Sequence, residues 1–265
     1  MVSLTYLERF DIKDEKEGLT EPSGLVLTRG RRGLWTISDD TDKVFRIGLD
    51  GKLKPKKSFK VPKKGLEGIT LEPKGRFLFT VREGANQIFK LNIAKRTVAK
   101  KRRLEKMAGY DKICHFFADD KDENKGLEGI TWNVDTHTLF TLKEGDPGLL
   151  IEVLPDLSAI RGHVELGPHN GFRDPGSKGD KIDYSGICYD PTRAAFWIVS
   201  DKAKRVFLYD AAADRVVQSE ALSYRKNGEV KEVEKAEGVA YDPRSGRLYV
   251  VSDEEVRLYV YDVRS

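Results

Sequence analysis

One spacing recurs five times along this chain. A serine or glutamate stands before glycine at Ser23-Gly24, Glu67-Gly68, Glu128-Gly129, Ser185-Gly186 and Glu237-Gly238, and an apolar run 16 residues later ends in an acid: Asp39, Glu83, Glu144, Asp201 and Asp253. Six residues beyond each acid comes Phe45, Phe89, Leu150, Phe207 or Tyr259. Five copies without a slip define a structural repeat. Successive cassettes begin 44, 61, 57 and 52 residues apart, and the step from the last through both termini to the first is 51. A closed array of five therefore accounts for the whole chain.

The segments between these landmarks read as short strands. In the first repeat they run from Gly24 to Thr28, Leu34 to Ser38, Val44 to Leu49 and Leu53 to Val61. β-branched and aromatic residues fill the runs, and Gly, Pro, Asp and Asn fill the joints. Four antiparallel strands per repeat, arranged radially, make an all-β five-bladed β-propeller. It forms a single domain over 1–265 with cassettes starting at 23, 67, 128, 185 and 237. The fifth blade lacks an outer strand. Residues 5–12 supply it, because Arg9-Phe10-Asp11-Ile12 resembles Ser58-Phe59-Lys60-Val61, the outer strand of blade one.

Three long connections interrupt the repeat, at 105–126, 166–184 and 223–236. All join an outer strand to the next inner one, which predicts that they emerge on the face where the Ser/Glu-Gly positions lie. The first holds Asp119, Asp120, Asp122 and Glu123, without the order of an EF-hand loop. The third holds Asn227-Gly228 between polar arms and reads as a small hairpin.

Composition narrows the function classes. Lys+Arg total 47 against Asp+Glu 43, a formal charge of +4, so nucleic acid is not expected as a partner. The basic run at Lys95, Arg96 and Lys100 to Arg103 reads as a solvated outer edge. Cys114 and Cys188 are too few for a disulfide framework. No apolar run approaches membrane length, and the first residues carry no signal pattern, which predicts a cytoplasmic monomer, or an exported protein if a signal has been removed.

The residue opening each innermost strand lies near a propeller's axis. Glu67, Glu128 and Glu237, with Ser23 and Ser185, then form an axial ring, and Asp39, Glu83, Glu144, Asp201 and Asp253 form a second acidic ring on the same top face. Three glutamates near one axis repel one another, and a hard divalent cation relieves this. Calcium is the expected ion, with the three glutamates as ligands and the serines completing the shell through water. The alternative is that Glu67 and Glu128 pair with Arg82 and Lys143, which precede the later acids of their blades; Glu237 has Ser252 there instead. His115 and His169, on the long connections, are the candidates for a general base.

The Leu-Glu-Gly-Ile cassettes, above all Asn124-Lys125-Gly126-Leu127-Glu128-Gly129-Ile130, resemble the SdiA-regulated (YjiK-like) family over about residues 20–262. That resemblance implies a five-bladed propeller, distantly similar to NHL-repeat proteins, with a bound calcium ion and no established reaction. A more distant likeness to gluconolactonase-type propellers implies divalent-metal ligands at Glu67, Glu128 and Glu237. Two functional classes follow. One is a calcium-binding propeller that presents its top face to a small-molecule or protein ligand. The other is a metal-dependent hydrolase acting on a lactone or phosphoester.

Overall fold

The computed structural model describes residues 2–61, 65–117, 125–145, 147–175 and 182–264. Strand β1 (Ser3–Asp11) is followed by blade one, built of β2 (Pro22–Leu27), β3 (Leu34–Ser38), β4 (Lys43–Ile47) and β5 (Phe59–Lys60). Blade two comprises β6 (Leu66–Leu71), β7 (Phe77–Arg82), β8 (Gln87–Asn92) and β9 (Thr97–Arg103). Blade three comprises β10 (Leu127–Asn133), β11 (Thr138–Lys143), β12 (Gly148–Val153) and β13 (Ile160–Leu166). Blade four comprises β14 (Gly186–Asp190), β15 (Ala195–Ser200), β16 (Arg205–Asp210) and β17 (Arg215–Ala221). The hairpin β18 (Ser223–Lys226) and β19 (Glu229–Glu232) precedes blade five: β20 (Ala236–Asp242), β21 (Arg247–Ser252) and β22 (Arg257–Arg264), with β1 as its fourth strand. The molecule is a five-bladed propeller.

Closure follows the expected pattern. β1 lies antiparallel to β22, with Arg9 opposite Tyr259 and Phe10 opposite Leu258. Phe59 of β5 lies opposite Val44, which occupies the place of Leu258 in its own blade. The short sequence likeness between the two outer strands therefore reflects the same position in the fold.

Each blade has two apolar faces, because successive strand residues point to opposite sides. Five buried clusters result, one per seam between blades. In the seam between blades two and three, Phe79, Val81 and Ile88 meet Leu127, Ile130 and Leu149. Trp197, Val199 and Leu208 meet Val250, Tyr259 and Tyr261 between blades four and five.

Near the axis, backbone meets backbone. A methyl group on Gly68 would stand 2.6 Å from the Ile130 nitrogen and 2.7 Å from Gly129 Cα, and one on Gly238 2.8 Å from the Gly24 carbonyl carbon. On Gly186 it would reach the Glu237 carbonyl oxygen at 2.1 Å. The glycine of the cassette thus lets each inner strand lean on the next. Gly68→Ala is expected to cost about 2–3 kcal/mol, since the opposing atoms are main chain and cannot swing away. Gly30→Ala is the control, because nothing lies within 4 Å of its added carbon. Equal thermal melts for the two variants would remove the close-approach explanation.

Two expectations need correction. The outer strand of blade one is not continuous from Leu53 to Val61. A 3₁₀ turn at Pro55–Lys57 interrupts it, leaving a single bridge from Leu53 to Ile47 before the turn and the pairing of Phe59 and Lys60 with β4 after it. Proline has no N–H for the ladder and suits the first position of a helical turn. The long connections also do not stay on the top face. Leu104, Met107 and Ile113 are buried against blades two and three, and Ala108 bonds to Ser158 and Ile160 around the far-end turn of blade three. Phe172 is buried against Tyr184, Phe207 and Tyr209. The apolar residues of both segments fill the outer parts of the seams, and the chain follows them down. The third connection is the expected hairpin, with Asn227 and Gly228 both at positive φ (53° and 86°) as a two-residue turn requires. Asp119, Asp120, Asp122 and Glu123 lie outside the described residues.

Candidate functional site

The axial positions are set by a local irregularity. The pairing of inner and second strands slips between Pro22 and Gly24, Leu66 and Ile69, Leu127 and Ile130, and Ala236 and Gly238. Ser23, Glu67, Glu128 and Glu237 sit inside these bulges, a device that re-aims a side chain at the end of a strand. In blade four β14 begins just after Ser185, whose N–H donates to the Val199 carbonyl (3.1 Å).

The ring glutamates feel one another. Burial is the largest influence on each, followed by carboxylate neighbours. Glu67 is pushed up to about 8 by burial and by Asp39, Glu83 and Asp253, with Ser23 opposing. Burial, then Glu67 and Glu83, hold Glu128 well above the usual carboxylate range, and it shares a hydrogen bond with Glu83. Burial raises Glu237 likewise, with Glu67, Asp183 and Asp201 adding to it.

Two residues that the fixed 16-residue offset did not pick out belong to this face. Asp183 is buried; its N–H donates to Ser200 Oγ (3.3 Å), and its carboxylate accepts from Ser200 Oγ and from the Lys202 N–H (3.0 Å). Glu21 is pushed up to about 7, first by a hydrogen bond with Asp39 and then by burial. Each lies two residues before a ring serine, where the glutamate blades have Gly65, Gly126 and Lys235. Both stand in the approach to an inner strand, Glu21 just before β2 and Asp183 three residues before β14. Besides the acid 16 residues on, every blade thus sends one acid to the mouth from the inner-strand side, either at the ring position or two residues before it.

Convergence is uneven. Glu83, Glu128 and Glu144 place carboxylate oxygens within 4.8 Å of one another, as do Glu21, Asp39 and Asp40. Among the described residues, neither group includes Glu67 or Glu237, so the three ring glutamates are neighbours without meeting at ligand spacing. Lysines hold acids of the second ring: Lys204 lies 2.8 Å from Asp201, Lys235 2.6 Å from Asp253, and Lys202 3.3 Å from Glu144 of the converging group. No ion pair joins Glu67 to Arg82 or Glu128 to Lys143 among the described residues. Lys143 is buried, donates to the Glu144 carbonyl (2.9 Å), and holds its ammonium 5.5 Å from the Phe117 ring centre.

The histidines stand away from the ring. His115 stacks on Phe116 at 3.9 Å, and Phe116 meets His163 on β13. His169 belongs to the turn Pro168–Asn170, whose Asn170 side chain donates to Asp214 (3.0 Å) at the far end of blade four.

The donors around Glu128 are carboxylate oxygens, without thiolate or imidazole, which suits a hard cation such as calcium. Fold and site together define a closed five-bladed propeller with an acid-lined axial mouth. The SdiA-regulated family model matches residues 5–261, and the chain belongs to that family. Among solved structures, Myxococcus xanthus glutaminyl cyclase is similar at 16% identity and a TM-score of 0.64, over 99% of this chain and 97% of that one. The β-propeller domain of Myceliophteria thermophila Cps50 (Swd1) is similar at 9% identity and a TM-score of 0.55, over 97% and 100%. Kuenenia stuttgartiensis hydrazine synthase matches at 13% identity and 0.52, over 88% of this chain and 56% of that one. At these identities the likeness is one of fold. No helix among the described residues is long and apolar enough to cross a membrane.

Proposed function

We propose that the top face binds a calcium ion and presents the loaded face to a small-molecule or protein ligand. The observation that carries this is the convergence of Glu83, Glu128 and Glu144 to within 4.8 Å beside a ring of further carboxylates. Three like charges at that spacing repel; Lys202, 3.3 Å from Glu144, offsets one of them, and protons or a metal cation balance the remainder. A divalent ion balances it at neutral pH. Glu128 is the central ligand, because its bulge sets it on the axis between the second-to-third-strand turns that carry Glu83 and Glu144. The calcium implied by the family resemblance supports the same reading.

The test is metal analysis and calorimetric titration of protein first stripped with chelator. We expect one calcium per chain in the parent, and affinity at least tenfold weaker in Glu128→Gln, which keeps the shape and loses the charge; a tenfold change corresponds to about 1.4 kcal/mol. Glu237→Gln should weaken binding less, since Glu237 lies outside the converging group. Stripped protein that takes up no calcium at millimolar concentration would overturn the proposal.

A further inference from the structure

At the opposite end of the axis, the second halves of the five inner strands enclose a cavity of about 300 Å³, within the range of small-ligand pockets. A throat with room for about 10 Å³, a single water, separates it from the acid ring. Leu27, Leu71, Ile130, Ile187 and Trp132 give the cavity an apolar wall.

Its polar edge is asymmetric. Inner strands expose alternate N–H groups toward the axis, and in three blades the preceding blade supplies an acceptor. Trp132 N–H donates to Thr70 Oγ1 (3.0 Å) and Tyr189 N–H to Thr131 Oγ1 (3.0 Å), and for Tyr241 the corresponding position is Cys188, whose sulfur is a weak acceptor. Blades one and two lack this arrangement. Thr28 N–H and Glu72 N–H make ladder bonds to Gly33 (2.9 Å) and Phe77 (3.1 Å), so the N–H groups of Leu27 and Leu71, one residue earlier, face the axis. The residues standing where the threonines stand are Ala240 and Val26, which carry no acceptor. Arg29, exposed at the mouth on the same side, makes no ion pair among the described residues. Arg31 is tied to Asp242 (2.6 Å) and Glu72 to Arg76 (3.4 Å).

We propose that this cavity is a binding site for a small carboxylate with an apolar or aromatic body. The carboxylate oxygens accept from the Leu27 and Leu71 N–H groups and from Arg29, while the body lies against Ile130, Ile187 and Trp132. Charge-assisted hydrogen bonds to pre-placed donors give orientation, and the apolar wall gives affinity.

The probe is 2-naphthoate, with neutral 2-naphthamide as its comparator. Trp132 lines the cavity, so tryptophan fluorescence reports occupancy, with calorimetric titration beside it. We expect saturable naphthoate binding, weakened about tenfold in Arg29→Gln while naphthamide binding stays constant. Val26→Thr, nearly the same shape, gives Leu71 the acceptor that blades three and four already have, and should weaken naphthoate binding without lowering the melting temperature. Calcium and Glu128→Gln should leave it unchanged, which keeps this test separate from that of the top face. Absence of saturable binding overturns the proposal, as does naphthoate binding unaltered by both Arg29→Gln and Val26→Thr.

Discussion

Removal of residues 1–13 is expected to abolish the cooperative fold. β1 pairs with β22 from Ser3 opposite Arg264 to Asp11 opposite Arg257, so its loss leaves a long unpaired edge on blade five. Apolar contacts go with it. Leu4 and Tyr6 pack on the seam between blades four and five, and Phe10 and Ile12 on the seam between five and one. Arg9 lies 4.4 Å from the Tyr224 ring centre. At about 1–2 kcal/mol for each of the four apolar side chains, the loss is about 4–8 kcal/mol, comparable with the whole stability of an ordinary domain. Circular dichroism and gel filtration should find the truncated chain unfolded or aggregated. A cooperative melt within a few degrees of the parent would contradict the role given to β1.

The second expected result is that pH acts in opposite directions on stripped and calcium-loaded protein. Glu67 is raised to about 8 in the folded state from an ordinary value of 4.5. Between those values the folded state keeps a proton that the unfolded state releases, so stability falls as pH rises through that window. Glu128 and Glu237, also raised, act in the same direction. Calcium requires the ionised carboxylates, so its binding releases protons and strengthens with pH. Melting temperature should therefore drop from pH 5 to pH 8 in chelator and stay level or rise in millimolar calcium. Parallel curves in the two buffers would sink the idea that cation and protons compete for the same carboxylates.

Much of this architecture was legible in residue spacing. The cassette offset locates the inner and second strands of every blade, and Phe10 and Phe59 reveal the closing strand because both oppose the same ladder position. Asn227-Gly228 announces its turn by chemistry alone. The route of the long connections was not legible. Ile113 and Phe172 are apolar residues inside loop-like sequence, and only the finished seams determine where they are buried. Glu21 and Asp183 fall outside the fixed offset, because the fold accepts an acid either at the ring position or two residues before it. That Glu128 meets Glu83 and Glu144 while Glu67 and Glu237 stand apart depends on how the turns bend. Repeat arithmetic treats those turns as equal.

The glycine contacts near the axis have a further consequence, for cooperativity. In an open array of repeats, each unit touches only its neighbours and an end unit can unravel first. Here Gly24 abuts Gly68, Gly68 abuts Gly129, and Gly238 abuts Gly24 again, so the molecule has no end unit. Detaching any one blade breaks two seams at once and parts main chain from main chain at the axis. A closed ring of this kind should unfold in a single transition, with hydrogen exchange in the inner strands of all five blades slowed to a common limit set by global opening.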